Sequence, residues 1–150
     1  MLEVLVRHHP AIMTRAQLAT LSRFSNRGGT YNTYLGDLKR VGYISLDGRE
    51  VHLTTEGMAA CGHVHRAPMS TAEVLEQWRT ALRAGARRML DILVGLYPRG
   101  LTRSALADQS DFTASGGTFG TYLGDLRRNG LIEEMDGEVR ASRVVMGAVR

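Results

Sequence analysis

Hydrophobic residues in the first part of the chain recur at intervals that predict three helices. Residues 2–9 form an apolar helical segment that ends at a proline, since proline cannot continue a helix. Thr14 is a good N-cap for a second helix over residues 15–22. Ser25 is a similar N-cap for a third helix that runs to about Val41.

The residues after the third helix predict a β-hairpin. Gly42 supplies a left-handed residue that ends the helix. Two β-prone segments, residues 43–46 and 51–53, flank the pair Asp47-Gly48, which is a strong hairpin signal. The predicted fold class is therefore mainly α with small β-hairpins, an α+β fold. The inward-facing positions of the third helix and of the strand after it are Tyr31, Leu35, Leu38 and Ile44.

The whole pattern occurs twice, as an internal duplication. Moving the chain by 88 residues aligns residues 14–44 with residues 102–132 without a gap, and 18 of these 31 pairs are identical. Two copies of this length indicate tandem domains rather than a solenoid. The second copy is expected to have helices over residues 90–97 and 103–110, a third helix from a Thr113 cap to about Asn129, and a hairpin turn at Asp136-Gly137.

A further helical segment joins the two copies. Residues 62–69 are predicted as a linker, after which Ser70 and Glu73 form the pattern of a capping box. Apolar residues follow at helical spacing, and Gly85 is a position where this helix could kink or split. We expect the apolar stripe to pack the two units together. The predicted boundaries are residues 1–66 for the first unit, 67–88 for the linker and connecting helix, and 89–150 for the second unit.

Three helices followed by a hairpin is the plan of the winged helix-turn-helix, and the chain resembles this broad superfamily of bacterial DNA-binding proteins. The resemblance implies two tandem winged-helix units that serve as a transcriptional regulator or as a DNA-binding accessory domain. The second copy has Ala141-Ser142-Arg143-Val144-Val145 where the first has its closing motif, so its last element departs from the pattern. The resemblance is carried by Thr30-Tyr31-Asn32-Thr33-Tyr34-Leu35 through Leu38, by Gly42-Tyr43-Ile44, and by the closing Leu53-Thr54-Thr55-Glu56-Gly57.

A narrower resemblance concerns larger proteins. The Gly-Gly-Thr-Phe and Thr-Tyr-Leu strings are similar to tandem winged-helix tails that follow ATP-binding domains in some bacterial ATPases. The chain itself has no Gly-x-x-x-x-Gly-Lys-Ser/Thr motif. Residue 89 aligns with Met1, so the helical segment before the second copy has no counterpart in the first. A regulatory tail or a fragment of a larger ATPase is therefore kept as an alternative.

The resemblance implies that the third helix of each unit enters the major groove of double-stranded DNA. Asparagine can pair with adenine and arginine with guanine, and cations at the helix end suit phosphates. In the first copy, the candidate DNA-binding residues are Asn26, Arg27, Gly28, Gly29, Thr30, Asn32, Thr33, Gly36, Lys39, Arg40 and, in the wing, Arg49. In the second copy, they are Ser115, Thr118, Thr121, Arg127 and Arg128.

The two copies differ in charge. Residues 1–66 carry a formal charge of +3, whereas residues 67–150 carry +1. An acidic wing repels phosphate, so the first copy is the predicted principal reader and the second is a weaker reader or a protein interface. The acidic residues of the second wing are Glu133, Glu134, Asp136 and Glu138, opposed by Arg140.

The repeated glycines of the third helix have two explanations. Gly28, Gly29 and Gly36 could let the helix backbone approach a phosphate closely. Alternatively, they serve close helix packing, or the helix begins after Gly29. Asp37 is predicted to pair with Arg40 or with Arg15 of the second helix, and its counterpart in the second copy is expected to do the same.

Two units in one chain could act as a pseudo-dimer that reads half-sites about one helical turn apart, and a homo-oligomer is a further possibility. The rival function is a protein-interaction or assembly adaptor in which the third helices contact protein. A steep loss of affinity for duplex DNA with rising salt would separate the two, because phosphate contacts release counterions.

Composition excludes several other classes of protein. The chain is 43% hydrophobic and 23% charged, which is typical of a globular protein. It has no run of eighteen apolar residues and no signal-peptide pattern, and its single cysteine fits a reducing compartment, so a cytoplasmic location is expected. A net charge of +4 is compatible with nucleic acid but does not identify it.

No catalytic chemistry is predicted. The sequence shows no nucleophile elbow, paired-carboxylate cleft or phosphate-binding loop with lysine, so we expect a non-enzyme without a cofactor. Cys61, His63 and His65 have side chains that bind zinc, but their spacing matches no common structural site. A solvated linker is the preferred interpretation of that segment, with no metal.

Overall fold

The computed structural model describes residues 1–62 and 67–146 and divides the chain into two compact units, Met1–Ser70 and Thr71–Arg150. Residues 71–88, which the sequence suggested as a separate connecting segment, are grouped with the second unit. Among the described residues, every helix is too short or too polar to cross a membrane.

The first unit consists of four helices and a three-stranded antiparallel sheet of order β1-β3-β2. Its elements are α1 (Leu2–His8), β1 (Met13–Thr14), α2 (Arg15–Leu21), α3 (Gly29–Arg40), β2 (Ile44–Asp47), β3 (Glu50–Leu53) and α4 (Thr55–Ala60). The predicted three helices and hairpin are present, and β1 is an additional strand that the hydrophobic pattern did not indicate. Two residues are too few to show a strand period.

The second unit repeats the order from α1 to β3 at the same 88-residue displacement, with a sheet of order β4-β6-β5. It has an additional helix at its start and no counterpart of α4 among its described residues. Its elements are α5 (Thr71–Ala81), α6 (Ala84–Leu96), β4 (Leu101–Thr102), α7 (Arg103–Gln109), α8 (Gly117–Arg128), β5 (Ile132–Met135) and β6 (Glu138–Ala141). The α+β class with small hairpins is confirmed. Helix α6 begins at Ala84 rather than at residue 90, because the chain before the duplicated part is also helical.

Threonine caps fix the start of the second helix in each unit. The Thr14 hydroxyl accepts a hydrogen bond from the Gln17 amide at 3.2 Å, and the Gln17 side chain accepts one from the Thr14 amide at 2.8 Å. This is a complete capping box, which satisfies two amides at the helix start. Thr102 caps α7 by accepting from the Ala105 amide at 3.2 Å. Both predicted threonine caps are confirmed.

The predicted caps of the third helix were wrong. Gly28 and Gly116 are the N-caps of α3 and α8, instead of Ser25 and Thr113. A tight turn separates the predicted cap from the helix, since the Gly28 amide donates to the Ser25 carbonyl at 2.9 Å. The helix therefore begins at Gly29, three residues later than a Ser25 cap requires.

Glycines end these helices as expected. Gly42 and Gly130 have φ of 81° and 65°, which glycine adopts without the steric cost that other residues meet. In the second hairpin, Asp136 and Gly137 both have positive φ, as a two-residue turn of this kind requires. In the first hairpin the two turn residues are Gly48 and Arg49, while Asp47 pairs with Glu50 in the ladder.

The core of the first unit contains the predicted inward positions. Tyr31, Leu35 and Ile44 are almost fully buried, whereas Leu38 is half-buried. The Tyr31 hydroxyl donates to the Arg15 carbonyl at 2.7 Å, which joins α3 to the start of α2. The buried residues of this core are Leu5, Met13, Leu18, Ala19, Tyr31, Leu35, Ile44 and Val51.

The closing motif of the first copy attaches α4 to the sheet. The Thr54 hydroxyl donates to the Gly42 carbonyl at 2.6 Å and accepts from the Gly57 amide at 3.0 Å. A Cβ on Gly57 would lie 2.1 Å from the Tyr43 carbonyl oxygen, so only glycine fits there. In the second copy Ser142 donates to the Gly130 carbonyl at 2.6 Å, but residues 143–146 form turns and not a helix.

Candidate nucleic-acid interface

The candidate interface begins at the amino end of α3. Gly28 has no side chain with which to cap the helix, and no other side chain does so. The first amide to bond within the helix is that of Asn32, which donates to the Gly28 carbonyl at 3.2 Å. Within the described part of the chain, the amides of Gly29, Thr30 and Tyr31 therefore have no acceptor. Unbonded amides at a helix start carry partial positive charge and favour an anion.

Gly28 itself has a structural reason. A Cβ at this position would lie 3.2 Å from the Ser25 carbonyl oxygen, and at the equivalent Gly116 it would lie 3.0 Å from the Thr113 oxygen. The tight turn before the helix thus explains this glycine in both units. Of the sixteen predicted DNA-binding residues, Gly28 is the one that is not exposed, being half-buried in that turn.

The outward face of α3 is formed by Gly29, Thr33, Gly36 and Arg40, which recur at helical spacing and are all exposed. We call these four residues the outward stripe. The Thr33 hydroxyl donates to the Gly29 carbonyl at 3.0 Å, so it lies against the helix backbone. A Cβ on Gly29 or on Gly36 would meet no atom within 4 Å. Packing within the unit therefore does not explain these two glycines.

Exposed polar side chains flank the outward stripe. Thr30 and Asn32 lie on either side of it in the first two turns of α3, and both are exposed. Asn26 and Arg27 precede the helix in the loop after α2 and are exposed as well. The structure thus brings together at one end of α3 the residues that the sequence suggested as base readers.

Four cations surround this face of the first unit. Arg40 donates to Asp37 at 2.8 Å, with 77% of the arginine side chain exposed. Arg27, Lys39 and Arg49 are exposed, and none of them forms an ion pair with another described residue. An exposed pair such as Arg40 with Asp37 contributes at most about 1 kcal/mol, so a phosphate can compete for the arginine. Of the two partners predicted for Asp37, Arg40 or Arg15, the structure shows Arg40.

The wing is anchored close to the helix-turn-helix. The Arg49 carbonyl, in the turn between β2 and β3, accepts a hydrogen bond from the Arg15 amide at 2.8 Å.

Three side chains with potential metal-ligand atoms lie beside this turn. They are Asp47, Glu50 and His52, and their ligand atoms lie within 4.8 Å of one another. Nε2 of His52 is 3.3 Å from the Glu50 carboxylate. Of the residues that the sequence offered as zinc ligands, Cys61 is half-buried, while His63 and His65 lie outside the described residues.

In the second unit, the helix-end arginines are paired with carboxylates. Arg127 contacts Glu134 of β5, and the Arg128 guanidinium is 3.2 Å from the Asp125 carboxylate. Asp125 also forms an ion pair with Arg83. The exposed Ser115, Thr118 and Thr121 repeat the polar face, although Thr121 donates to the Gly117 carbonyl at 2.8 Å. The acidic residues expected on this wing, Glu133, Glu134, Asp136 and Glu138, are all exposed.

Sequence reasoning missed one contact of the third helix of the second unit, that of Arg83 with Asp125. Arg83 lies before the duplicated region, so the comparison of the two copies gave no signal for it. Its guanidinium carbon also lies 5.1 Å from the centre of the Tyr122 ring. The carboxylate at this position therefore has two cationic partners in the second unit, whereas Asp37 has Arg40.

Burial of the third helix also changes the chemistry of its tyrosine. Tyr31 is 1% exposed, and this burial raises the pKa of its hydroxyl to about 12, an effect that the nearby Arg15 charge partly offsets. Tyr31 is therefore neutral at physiological pH and acts as a structural hydrogen-bond donor.

No protein-family model, curated protein or solved structure matches the chain.

Proposed function

We propose that this chain is a non-catalytic, double-stranded DNA-binding module built from two tandem winged helix-turn-helix units, acting in the cytoplasm. The order of elements in each unit, helix, short strand, two helices and hairpin, supports the winged-helix assignment. In that arrangement the third helix enters the major groove and the hairpin contacts the backbone beside it. Helices α3 and α8 would be the recognition helices.

The observation that carries the proposal is the open, cation-flanked start of α3. Among the described residues, the amides of Gly29, Thr30 and Tyr31 at its amino end have no acceptor, and the side chains of Thr30, Asn32 and Thr33 are exposed beside them. Glycines at 29 and 36 leave the backbone accessible to a phosphate. This combination of free donors, small residues and nearby cations fits a duplex better than it fits a neutral surface.

The first unit is the principal DNA reader in this proposal. Its Arg27, Lys39 and Arg49 are free to bind phosphate, while Arg127 and Arg128 of the second unit are already held by acids. Each phosphate contact contributes by releasing about one counterion, so unpaired cations contribute most. The second unit would bind DNA more weakly.

Fluorescence anisotropy with a labelled random duplex tests the proposal. We expect binding by the full chain to weaken steeply with salt, because the logarithm of the binding constant falls with a slope of about −0.9 for each neutralised phosphate. Arg27→Ala with Lys39→Ala should make that slope shallower by about 1.8. Both side chains are exposed and unpaired, so the fold is retained.

Arg127→Ala with Arg128→Ala is the matched control, since it removes the same number of charges from the second unit. We expect a smaller change in slope, because Arg127 and Arg128 are already paired with carboxylates and so neutralise fewer phosphates. Absence of binding at roughly 50 mM salt, where counterion release is strongly favourable, would overturn the DNA proposal. An equal effect of the two double variants would overturn the assignment of the first unit as principal reader.

The second candidate function is a protein-assembly adaptor, alone or as the tail of a larger ATPase. The observation that favours it is the pairing of the arginines with acids on the second unit, where α8 and β5 together carry a formal charge of −1. A surface of mixed charges with small residues suits a protein partner. This function would be favoured if the full chain did not bind duplex DNA but did form an oligomer or a complex with another protein.

A further inference from the structure

An apolar groove is open on the first unit, between the start of α1 and one flank of α3. Its residues are Met1, Leu2, Phe24, Tyr34, Leu38 and Val41, and Asp37 also lines it. Tyr34 and Val41 are 50% and 58% exposed. They belong to one contiguous lining instead of being scattered singly, which is the arrangement typical of a binding surface. They follow Thr33 and Arg40 by one residue, about 100° around the helix, so the groove is separate from the outward stripe.

The second unit has the same groove, and there it is filled. The equivalents of Met1, Leu2 and Leu38 are Met89, Leu90 and Leu126, and all three are fully buried, whereas the first-unit residues are half-buried. The two aromatic pairs are alike, with ring centroids 5.7 Å apart for Phe24 with Tyr34 and 5.5 Å apart for their equivalents. Six of the seven lining residues are therefore the same in the second unit, and the seventh, Val41, is replaced by the buried Asn129.

The covering segment in the second unit is the beginning of α6. Gly85 lies directly on the Tyr122 ring, because a Cβ built on it would be 2.1 Å from the ring. Arg83 extends over the same ring and bonds Asp125, its Nε lying 3.2 Å from the carboxylate. The Asp125 side chain is 17% exposed, against 48% for Asp37. Arg83 and Gly85, two residues apart, thus cover Tyr122 and Asp125 in the second unit.

We propose that the groove of the first unit binds a helix of a partner protein that begins with Arg-x-Gly, in the way that Arg83 and Gly85 bind the second unit. The partner arginine pairs with Asp37 and covers the Tyr34 ring, and the partner glycine lets the helix backbone rest on that ring. Apolar side chains of the same helix cover Leu38 and Val41. Charge complementarity supports this occupant, because Asp37 has Arg40 alone where Asp125 has two arginines.

A fluorescein-labelled peptide with the sequence of residues 70–88 of this chain serves as the probe, titrated against the full chain. We expect saturable binding that Val41→Glu weakens by at least about tenfold, since a charge is then buried without a partner. Ile12→Glu is the matched control, because Ile12 is 56% exposed in the same unit and outside the groove. It should leave the affinity unchanged. Both substituted residues are exposed, so the variants should fold.

Charge exchange makes the test specific. The peptide carrying Arg83→Glu should bind the unaltered chain at least about tenfold more weakly and should recover affinity for the Asp37→Arg chain. Absence of peptide binding, or equal binding by the Val41→Glu chain, would overturn the proposal. If the chain self-associates and Val41→Glu abolishes that self-association, the groove binds a second copy of the chain. This result would also overturn the proposal.

Discussion

Replacing Gly36 with alanine separates what this residue does for the fold from what it does for binding. Gly36 lies inside α3 and is exposed, and a Cβ on it would meet no atom within 4 Å. Alanine in a helix interior is favoured over glycine by about 0.5–1 kcal/mol. Since the new methyl group meets neither a clash nor a buried contact, this whole amount should appear as stability.

Urea denaturation followed by far-UV circular dichroism measures the gain. An increase of about 0.5–1 kcal/mol in the free energy of unfolding is expected for Gly36→Ala. Gly124→Ala in α8 repeats the change, because a Cβ there also meets nothing. Trp78 is the sequence's one tryptophan and is 2% exposed in the second unit, so its fluorescence reports unfolding of that unit. A destabilised Gly36→Ala chain would refute the geometry described for α3.

The same variant tests why the glycine is there. If the helix backbone approaches phosphates at Gly36, the added methyl group should reduce affinity for duplex DNA by about tenfold while stability rises. Gain of stability with unchanged DNA affinity would show that this glycine serves no DNA contact. Anisotropy at one fixed salt concentration is sufficient, because the charge of the chain is unchanged.

Three further predictions concern the first unit. Gly57→Ala should destabilise it by about 2 kcal/mol or more, since the new Cβ would lie 2.1 Å from the Tyr43 oxygen; unchanged urea unfolding would contradict this. Thr14→Ala should cost about 1 kcal/mol through loss of the capping box, and a thermal midpoint equal to the wild type would count against it. Tyr31 has a folded-state pKa of about 12, above its unfolded value near 10, so its contribution is complete below pH 10 and is lost as the pH rises toward 12. Tyr31→Phe should remove that alkaline loss, the equivalent residue already being Phe119, and identical alkaline profiles would refute the assignment.

Much of the fold could be predicted because the same sequence pattern occurs twice, so each predicted element could be checked in the second copy. Helix ends at Gly42 and Gly130, and caps at Thr14 and Thr102, follow from local chemistry that acts over four residues or fewer. The prediction that Ser25 caps α3 was wrong because serine also occurs in tight turns, and the sequence does not distinguish a turn from a cap.

The candidate site was predictable in its outward residues but not in its electrostatics. Helical periodicity placed Thr30, Asn32 and Thr33 on the exposed face without reference to tertiary structure. The neutralisation of Arg127 by Glu134 depends on how β5 lies beside α8, and no periodicity encodes that distance. The filling of one groove and not the other likewise depends on a segment outside the repeat.

The repeated glycines inside α3 and α8 support a shared contact on their outward faces. The outward stripe of Gly29, Thr33, Gly36 and Arg40 is identical in both copies, although none of its members contributes to a core. The exposed Thr30 and Tyr34 are identical in the second copy too, so identity alone does not distinguish the stripe. Gly36 and Gly124 each lie inside a helix, where glycine costs about 1 kcal/mol relative to alanine and where an added Cβ would meet no atom within 4 Å. A partner that must approach the backbone of both helices explains why this cost is kept in both copies.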